Sequence, residues 1–139
     1  KYKKIIVNYG IEDKVIFKGY VPYGSSLFNE FRNADIFVLP SLGTEGWSRV
    51  LIEANANALP VVTTNVNSLG LAASEFNNGL ICPPGNSICL YKNIKTIIEN
   101  PELRKKLIKG SITRAQKYTQ EKELKKINYH LNILNNANE

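Results

Sequence analysis

The stretch IFVLPSLGTEGWSRVLIEANANALPVVTT, from Ile36 to Thr64, decides the fold of this chain. Its first residues, Ile36–Pro40, form a continuous apolar run, which is typical of a strand buried on both faces of a parallel sheet. Small polar residues and two glycines then predict a loop over Ser41–Gly46. From about Ser48 the apolar residues recur at a helical period until Leu59-Pro60, where the proline ends the helix, and VVTT predicts a second strand. This order predicts an α/β fold, with the loop at the carboxyl end of a strand, where such sheets bind ligands.

Two carboxylates flank the predicted start of this helix. Glu45 lies in the loop and Glu53 lies one to two turns into the helix, so both side chains are able to face one ligand at two depths. Between them, the free amides of the helix start form a site suited to an anion such as phosphate. These amides are those of Gly46, Trp47, Ser48 and Arg49. Spacing alone leaves a second interpretation open, in which Glu45 caps the helix and Glu53 is solvated.

The segment EGWSRVLIEANANALPVVT (residues 45–63) resembles the E-x7-E signature of retaining GT-B glycosyltransferases of the family 4 type. The usual form of that signature is E-G-F-G-x-x-x-x-E-A-x-A-x-G-x-P-V-V. The resemblance continues through VIFKGYVP (residues 15–22), ADIFVLPS (residues 34–41) and NGLICPPGN (residues 78–86). It implies a Rossmann-like parallel sheet with flanking helices, forming part of the C-terminal, donor-binding domain of a GT-B fold. Residues 1–139 are then one partial nucleotide-sugar-binding domain, and residues 87–139 are its C-terminal helices.

The resemblance also implies roles for single residues. Glu45 is the catalytic candidate and reaches hydroxyls of the donor sugar, and Glu53 accepts hydrogen bonds from the ribose. The amides of Trp47–Val50 approach the diphosphate and the sugar. A loop after the first strand contacts the nucleotide base, unless it is a plain surface loop, and Gly70 approaches the sugar or its phosphate from another loop. The predicted donor-binding residues are Glu45, Gly46, Trp47, Ser48, Arg49, Val50, Glu53, Val21, Ser26 and Leu27.

The chain departs from the family pattern at a few positions. Ser48 and Arg49 replace a common glycine and an aliphatic residue, and a guanidinium at Arg49 is placed to contact phosphate. Ala58 replaces the glycine before x-Pro, and Asn55 and Asn57 replace small or apolar residues. These changes leave the donor's identity and the packing behind the loop open, but they retain both glutamates.

The resemblance implies more strands than the sequence predicts. The predicted strands are Val15–Gly19, Ile36–Pro40, Pro60–Thr64 and Gly79–Cys82. A doubly wound sheet of this kind has about six strands, and the resemblance places the first two upstream of Lys1, with the Arg and Lys that grip the diphosphate and with the acceptor domain. The chain is therefore expected not to transfer sugar alone. Its open sheet edge favours pairing with a second copy, strand exchange or rearrangement.

Composition and charge restrict the class of protein. The 139 residues, 43% hydrophobic and 22% charged, are typical of one soluble globular domain. The sequence starts at Lys1 and contains no methionine, which predicts a segment of a longer protein or a processed chain. The net charge of +6 belongs to residues 86–139, because residues 1–85 carry equal numbers of basic and acidic side chains. Basic C-terminal helices suit either a solvated surface or peripheral contact with an anionic membrane, while nucleic acid is not expected.

Cysteine and histidine usage predicts neither a disulfide framework nor a metal site. Cys82 and Cys89 do not form a C-x-x-C motif and are expected to be reduced, as in a cytosolic protein. The single His130 lies far from both in sequence, and there is no Asp-x-Asp to hold a metal. No metal and no cofactor is therefore predicted, and the nucleotide sugar is a substrate.

Together these features predict the donor-binding part of a glycosyltransferase of the hexosyltransferase type. The reaction would move a sugar, with retention, from a UDP- or GDP-sugar to a glycan or lipid-type acceptor. Two alternatives remain at this point. One is a non-catalytic nucleotide-sugar-binding or assembly module, and the other is a GT-B nucleotide-sugar epimerase.

Overall fold

The computed structural model describes the backbone of residues 2–136 and the side chains of residues 2–133. The chain divides into two compact units, residues 1–30 and residues 31–139. In the first unit, helix α1 spans Tyr2–Tyr9 and ends at Gly10, whose φ of +59° is readily adopted by glycine. A 3₁₀ turn follows over Glu12–Lys14, and helix α2, Ser25–Arg32, begins in this unit. No residue between 2 and 30 is buried.

The prediction of a strand over Val15–Gly19 is wrong. These residues make no ladder hydrogen bonds with any described strand, and their apolar side chains at Ile16 and Phe17 are 77% and 54% exposed. A strand depends on a neighbouring strand to satisfy its backbone groups, and residues 2–30 contain no such neighbour. An apolar run alone was therefore insufficient to predict a strand.

In the described part of the second unit, three parallel strands form a sheet in the order β1-β2-β3. They are β1 at Phe37–Leu39, β2 at Val61–Thr64 and β3 at Gly79–Cys82, with Phe37 opposite Val61 and Val61 opposite Gly79. This confirms the parallel α/β fold. All four residues of β2 are buried, whereas β1 lies at an edge and its Val38 is 36% exposed. The prediction that β1 is buried on both faces is therefore wrong: Phe37 and Leu39 pack against the core on one face, whereas Val38 on the other face is exposed.

Helices cover both faces of the sheet. Adjacent residues of β2 point in opposite directions: Val61 packs with Leu51 and Leu69 on one face, and Val62 packs with Ile97 and Leu107 on the other. The connecting helices are α3 (Arg49–Ala56) and α4 (Ser68–Ser74), and the C-terminal helices are α5 (Ser87–Glu99), α6 (Pro101–Lys117) and α7 (Gln120–Asn136). This is a Rossmann-like arrangement followed by a helical C-terminal region.

Helix α4 corrects the prediction that Gly70 lies in a loop. Gly70 is buried inside the helix, where a Cβ would overlap the side-chain oxygen of Asn65. The sequence SLGLAAS is rich in small residues, so the helix packs closely on the sheet with Leu69 and Ala73 fully buried. Tertiary packing here outweighs the low helix propensity of glycine.

Asparagine side chains cap the starts of α5 and α6. Asn86 accepts a hydrogen bond from the amide of Cys89 at the start of α5, and Asn100 accepts one from the amide of Leu103 at the start of α6, both at 2.9 Å. Among the described residues, no helix combines the length and the apolar character that crossing a membrane requires.

Candidate functional site

The loop between β1 and α3, residues 40–48, is fastened to the carboxyl end of the sheet. The hydroxyl of Thr64, the last residue of β2, donates a hydrogen bond of 2.7 Å to the carbonyl of Ser41. The hydroxyl of Ser68, the first residue of α4, donates one of 2.7 Å to the carbonyl of Gly46. The β1–α3 loop is thus held near its beginning and near its end by the next two elements.

Glu45 lies within this loop with its carboxylate oriented by a neighbour. Its Oε1 accepts a 2.7 Å hydrogen bond from the hydroxyl of Ser41, and its backbone carbonyl accepts one of 3.2 Å from the side-chain amide of Asn67. The residue at the N-cap of α3 is Ser48, not Glu45. The interpretation in which Glu45 caps the helix is therefore wrong.

Glu53 lies one turn into α3 and is largely shielded from solvent. Its side chain is 13% exposed, and its Oε1 accepts a 3.0 Å hydrogen bond from Nε of Arg49, whose side chain is 76% exposed. Because Arg49 precedes it by four residues, this pair places the Glu53 carboxylate beside the first turn. The interpretation of Glu53 as a solvated side chain is also wrong.

The start of α3 has no side-chain cap from its N-cap residue. Ser48 has the extended backbone of an N-cap, but its side chain makes no capping hydrogen bond, and the first helical bond runs from the amide of Ile52 to the carbonyl of Ser48. The first-turn amides belong to Arg49, Val50 and Leu51, so Gly46 and Trp47 lie in the loop before the helix. Such amides, at the positive end of the helix dipole, suit an anion.

Trp47 connects this loop to α6. Its side chain is half exposed, and its ring lies 5.6 Å from the ring of Tyr118 in an edge-to-face arrangement. The guanidinium carbon of Arg114 lies 5.4 Å from the centre of the Trp47 ring. Sequence reasoning missed Arg114 and Tyr118. The available signal was that Arg114 falls at helical spacing on the buried stripe that contains Leu107 and Ser111.

The hydroxyl of Tyr118 also contacts a charged pair, Glu75 and Lys117. This hydroxyl lies 2.9 Å from each carboxylate oxygen of Glu75, and the ammonium of Lys117 donates a 3.0 Å hydrogen bond to the same carboxylate. The hydrogen bond from Lys117, supported by that of Tyr118, lowers the pKa of Glu75 in spite of the opposing effect of burial. Burial lowers the pKa of Arg114, against the charges of Tyr118 and Glu75.

The remaining predicted donor residues lie in the first unit. Val21 is partly buried in the irregular segment before α2, and Ser26 and Leu27 belong to the first turn of α2, exposed and partly buried respectively. Ser26 and Leu27 are thus helical. They belong to the first unit, whereas Glu45 and Glu53 belong to the second.

Both cysteines are free thiols. Cys82 is buried at the end of β3, and this burial, with the neighbouring thiol of Cys89, raises its pKa to about 12, whereas the hydrogen bond from Asn93 acts in the opposite direction. Within the part of the chain that the structure describes, no group of three His, Cys, Asp or Glu residues is arranged to hold a metal ion.

Comparison with known proteins places these features in a family context. Residues 1–114 match the family described as "Glycosyl transferases group 1". The chain is similar to Protein CapJ of Staphylococcus aureus, with 33% identity over 104 residues that cover 75% of this chain and 26% of that protein. The chain spans about a quarter of the length of the curated relatives it matches.

Solved structures show the same fold. Sucrose-phosphate synthase from Thermosynechococcus elongatus superposes with a TM-score of 0.81 and 25% identity, covering 98% of this chain and 34% of that one. Anabaena Alr3699/HepE, solved in complex with UDP, superposes with a TM-score of 0.85 and 22% identity, covering 94% of this chain and 35% of that one.

Proposed function

Because the chain belongs to the glycosyl transferases group 1 family, we propose that it binds the nucleotide-sugar donor of a glycosyl transfer. Its fold is that of part of the C-terminal domain of a GT-B glycosyltransferase. The observation that carries the proposal is the start of α3, where Ser48 makes no side-chain cap and the carboxylates of Glu45 and Glu53 lie on either side in sequence. UDP- and GDP-sugars are the donor classes we propose.

In this proposal the donor's diphosphate binds at the first turn of α3. The amides of Arg49, Val50 and Leu51 supply hydrogen-bond donors, and the helix dipole adds positive potential at the same place. The exposed guanidinium of Arg49 adds a charge-assisted contact to phosphate. The amides of Gly46, Trp47 and Ser48 line the approach to this turn.

The two carboxylates recognise the hydroxyls on either side of the diphosphate. Glu53, shielded from solvent beside the first turn, accepts hydrogen bonds from the ribose hydroxyls. Glu45, oriented by Ser41, accepts hydrogen bonds from the donor-sugar hydroxyls and is the catalytic candidate.

Catalysis in this proposal depends on position and charge. Fixing the sugar hydroxyls and the diphosphate places the anomeric carbon for attack by the acceptor. The helix amides stabilise the negative charge that develops as the diphosphate departs, and the transfer proceeds with retention as a hexosyltransferase reaction.

This chain spans about a quarter of the length of its curated relatives. We propose that a further domain binds a glycan or lipid-linked acceptor, and that the 139 residues bind the donor without transferring it. We further propose a cytoplasmic location, with the exposed lysines of α6 available to an anionic membrane surface. Those lysines are Lys105, Lys106 and Lys109.

The experiment is calorimetric titration of the 139-residue chain and its Glu53→Gln variant with UDP and GDP. We expect one nucleotide to bind, and Glu53→Gln to weaken it about tenfold, because a hydrogen bond to a charged group is lost. The matched control is Glu99→Gln, which breaks another i,i+4 pair, with Lys95 on α5, and leaves the affinity unchanged. If neither nucleotide binds, or if both variants bind it like wild type, the proposed assignment of the donor site is wrong.

A second variant separates the sugar from the nucleotide. Glu45→Gln should lower the affinity for a nucleotide sugar several-fold and leave the affinity for the free nucleotide unchanged. UDP-glucose and GDP-mannose are the nucleotide sugars to test. An equal loss for both ligands would contradict the role of Glu45 in sugar recognition and place its effect on the loop.

A further inference from the structure

Among the residues that the structure describes, no anion is hydrogen-bonded to the buried cation of Arg114. The residue is 1% exposed, and its Nε and Nη1 atoms have no hydrogen-bond partner. Burying a charged group without such partners is unfavourable, and an apolar side chain of similar length would avoid this cost. A guanidinium here is therefore better explained by what it holds than by a contribution to core stability.

Two aromatic rings supply the contacts of the guanidinium. Its central carbon lies 5.4 Å from the centre of the Trp47 ring and 5.3 Å from the centre of the Tyr118 ring. These distances are within the range of cation–π attraction, which is stronger when the cation is desolvated. Arg114 thus joins α6 to the β1–α3 loop through Trp47.

The second ring is itself fixed in place. The carboxylate of Glu75, at the end of α4, accepts hydrogen bonds from the hydroxyl of Tyr118 and from the ammonium of Lys117. The start of α4 holds the same loop, through the Ser68 hydroxyl on the carbonyl of Gly46. The loop is therefore held at two consecutive residues, by a hydrogen bond at Gly46 and by the Arg114–Tyr118 pair at Trp47.

We propose that Arg114 is a positioning residue for the donor site, acting through Trp47 on the start of α3. Trp47 directly precedes Ser48, the N-cap residue, so fixing its ring restricts the backbone that leads into the first-turn amides. A loop ordered before binding does not lose conformational freedom when the ligand arrives, and this raises affinity. Arg114 itself does not touch the ligand. This inference rests on the proposed donor-binding function.

Trp47 provides a direct readout, because it is the only tryptophan in the sequence. The variants are Arg114→Met, which removes the charge, and Arg114→Lys, which keeps the charge but loses the flat guanidinium face. We expect Arg114→Met to lower the fluorescence anisotropy of Trp47 and to raise its quenching by acrylamide about twofold, since the ring loses a desolvated cation–π contact. Arg114→Lys should restore part of both values.

The second readout is UDP affinity, or GDP affinity if that nucleotide binds. We expect Arg114→Met to weaken it about three- to tenfold and Arg114→Lys to weaken it less, in proportion to the lost contact. The matched control is Arg104→Met on the same helix, whose guanidinium donates instead to the carbonyl of Ile98 at 3.4 Å. It should change neither readout.

The outcomes separate positioning from folding and from the proposed function. If Arg114→Met only lowers stability, with Trp47 anisotropy and affinity at wild-type values, the inference is overturned, as it is if the anisotropy changes and the affinity does not. If Arg114→Met fails to fold, Arg114→Lys decides by the same two readouts. If the wild-type chain binds neither nucleotide, the proposed function fails, and Trp47 anisotropy alone decides whether Arg114 positions the loop.

Discussion

The two ends of helix α3 differ in how their free backbone groups are satisfied. At its C-terminus the chain satisfies its own backbone: the amide of Ala58 donates to the carbonyl of Asn55 at 2.9 Å, and the amide of Leu59 donates to the carbonyl of Ala54 at 3.1 Å. This is the Schellman pattern, with Ala58 in the left-handed position. At its N-terminus, Ser48 makes no side-chain cap. The difference agrees with the proposed function, in which the C-terminal end of this eight-residue helix stabilises the fold and the N-terminal end binds the donor's diphosphate.

Buried polar side chains reinforce the C-terminal end. The side-chain amide of Asn55 donates to the carbonyl of Leu51 at 2.6 Å, and its Oδ1 accepts a 2.9 Å hydrogen bond from Asn78; both asparagines are fully buried. The hydroxyl of Ser111 on α6 donates to the carbonyl of Leu59 at 2.6 Å. The asparagine at position 55, a departure from the family pattern, therefore joins α3 to the residue preceding β3.

The substitution with the largest expected effect on stability disrupts the C-terminal end of α3. Asn55→Ala should lower the free energy of unfolding by about 2–3 kcal/mol, because the amide of Asn78 is left buried without its acceptor. Urea unfolding measures the loss, and Asn128→Ala on the exposed surface of α7 is the control, expected to change stability by less than about 0.5 kcal/mol. Folded Asn55→Ala should bind UDP or GDP like wild type. Weaker nucleotide binding without lost stability would reverse the assignment of the two ends.

A smaller effect of opposite sign tests the helix C-terminus. Ala58 has φ +61°, a region that costs a residue with a Cβ about 1–2 kcal/mol. Ala58→Gly should therefore raise the free energy of unfolding by about 1 kcal/mol, after allowing for the greater freedom of glycine in the unfolded chain.

The control for this gain is the same substitution two residues earlier. Ala56 is exposed and helical, so Ala56→Gly should lower the free energy of unfolding by roughly 0.5–1 kcal/mol. Both are measured by urea unfolding. Equal signs for the two substitutions would show that the left-handed position is not maintained in solution.

Local signals in the sequence were sufficient for much of this helix. The proline at position 60, the β-branched residues that follow it and the helical spacing of Leu51 and Ala54 predict α3 and β2 within a few residues of their observed bounds. The same reasoning placed Glu45 in the loop and Glu53 in the helix. It did not determine that Ser48 would leave the first turn without a side-chain cap.

The failures share a physical cause, since each depended on partners distant in sequence. Residues 15–17 are apolar, but residues 15–19 have no paired strand in their unit. Gly70 becomes helical because α4 packs against the sheet. Arg114 lies 67 positions from Trp47, and no local pattern indicates which ring a buried guanidinium contacts. The spacing of apolar residues predicts which face of an element is buried better than it predicts which residues pack against that face.

The smallest expected effect on stability lies at the N-terminal end of α3. Arg49→Met removes the ion pair between Glu53 and the exposed guanidinium of Arg49, so the free energy of unfolding should change by less than about 0.5 kcal/mol in urea unfolding. Nucleotide affinity should nevertheless fall about threefold, and depend less on salt, because a cation beside the phosphates is lost. The same replacement at Arg114 should lower affinity with little change in its salt dependence, since that guanidinium acts through Trp47. If Arg49→Met instead destabilises the fold and leaves the affinity unchanged, the N-terminal end of α3 serves stability as its C-terminal end does.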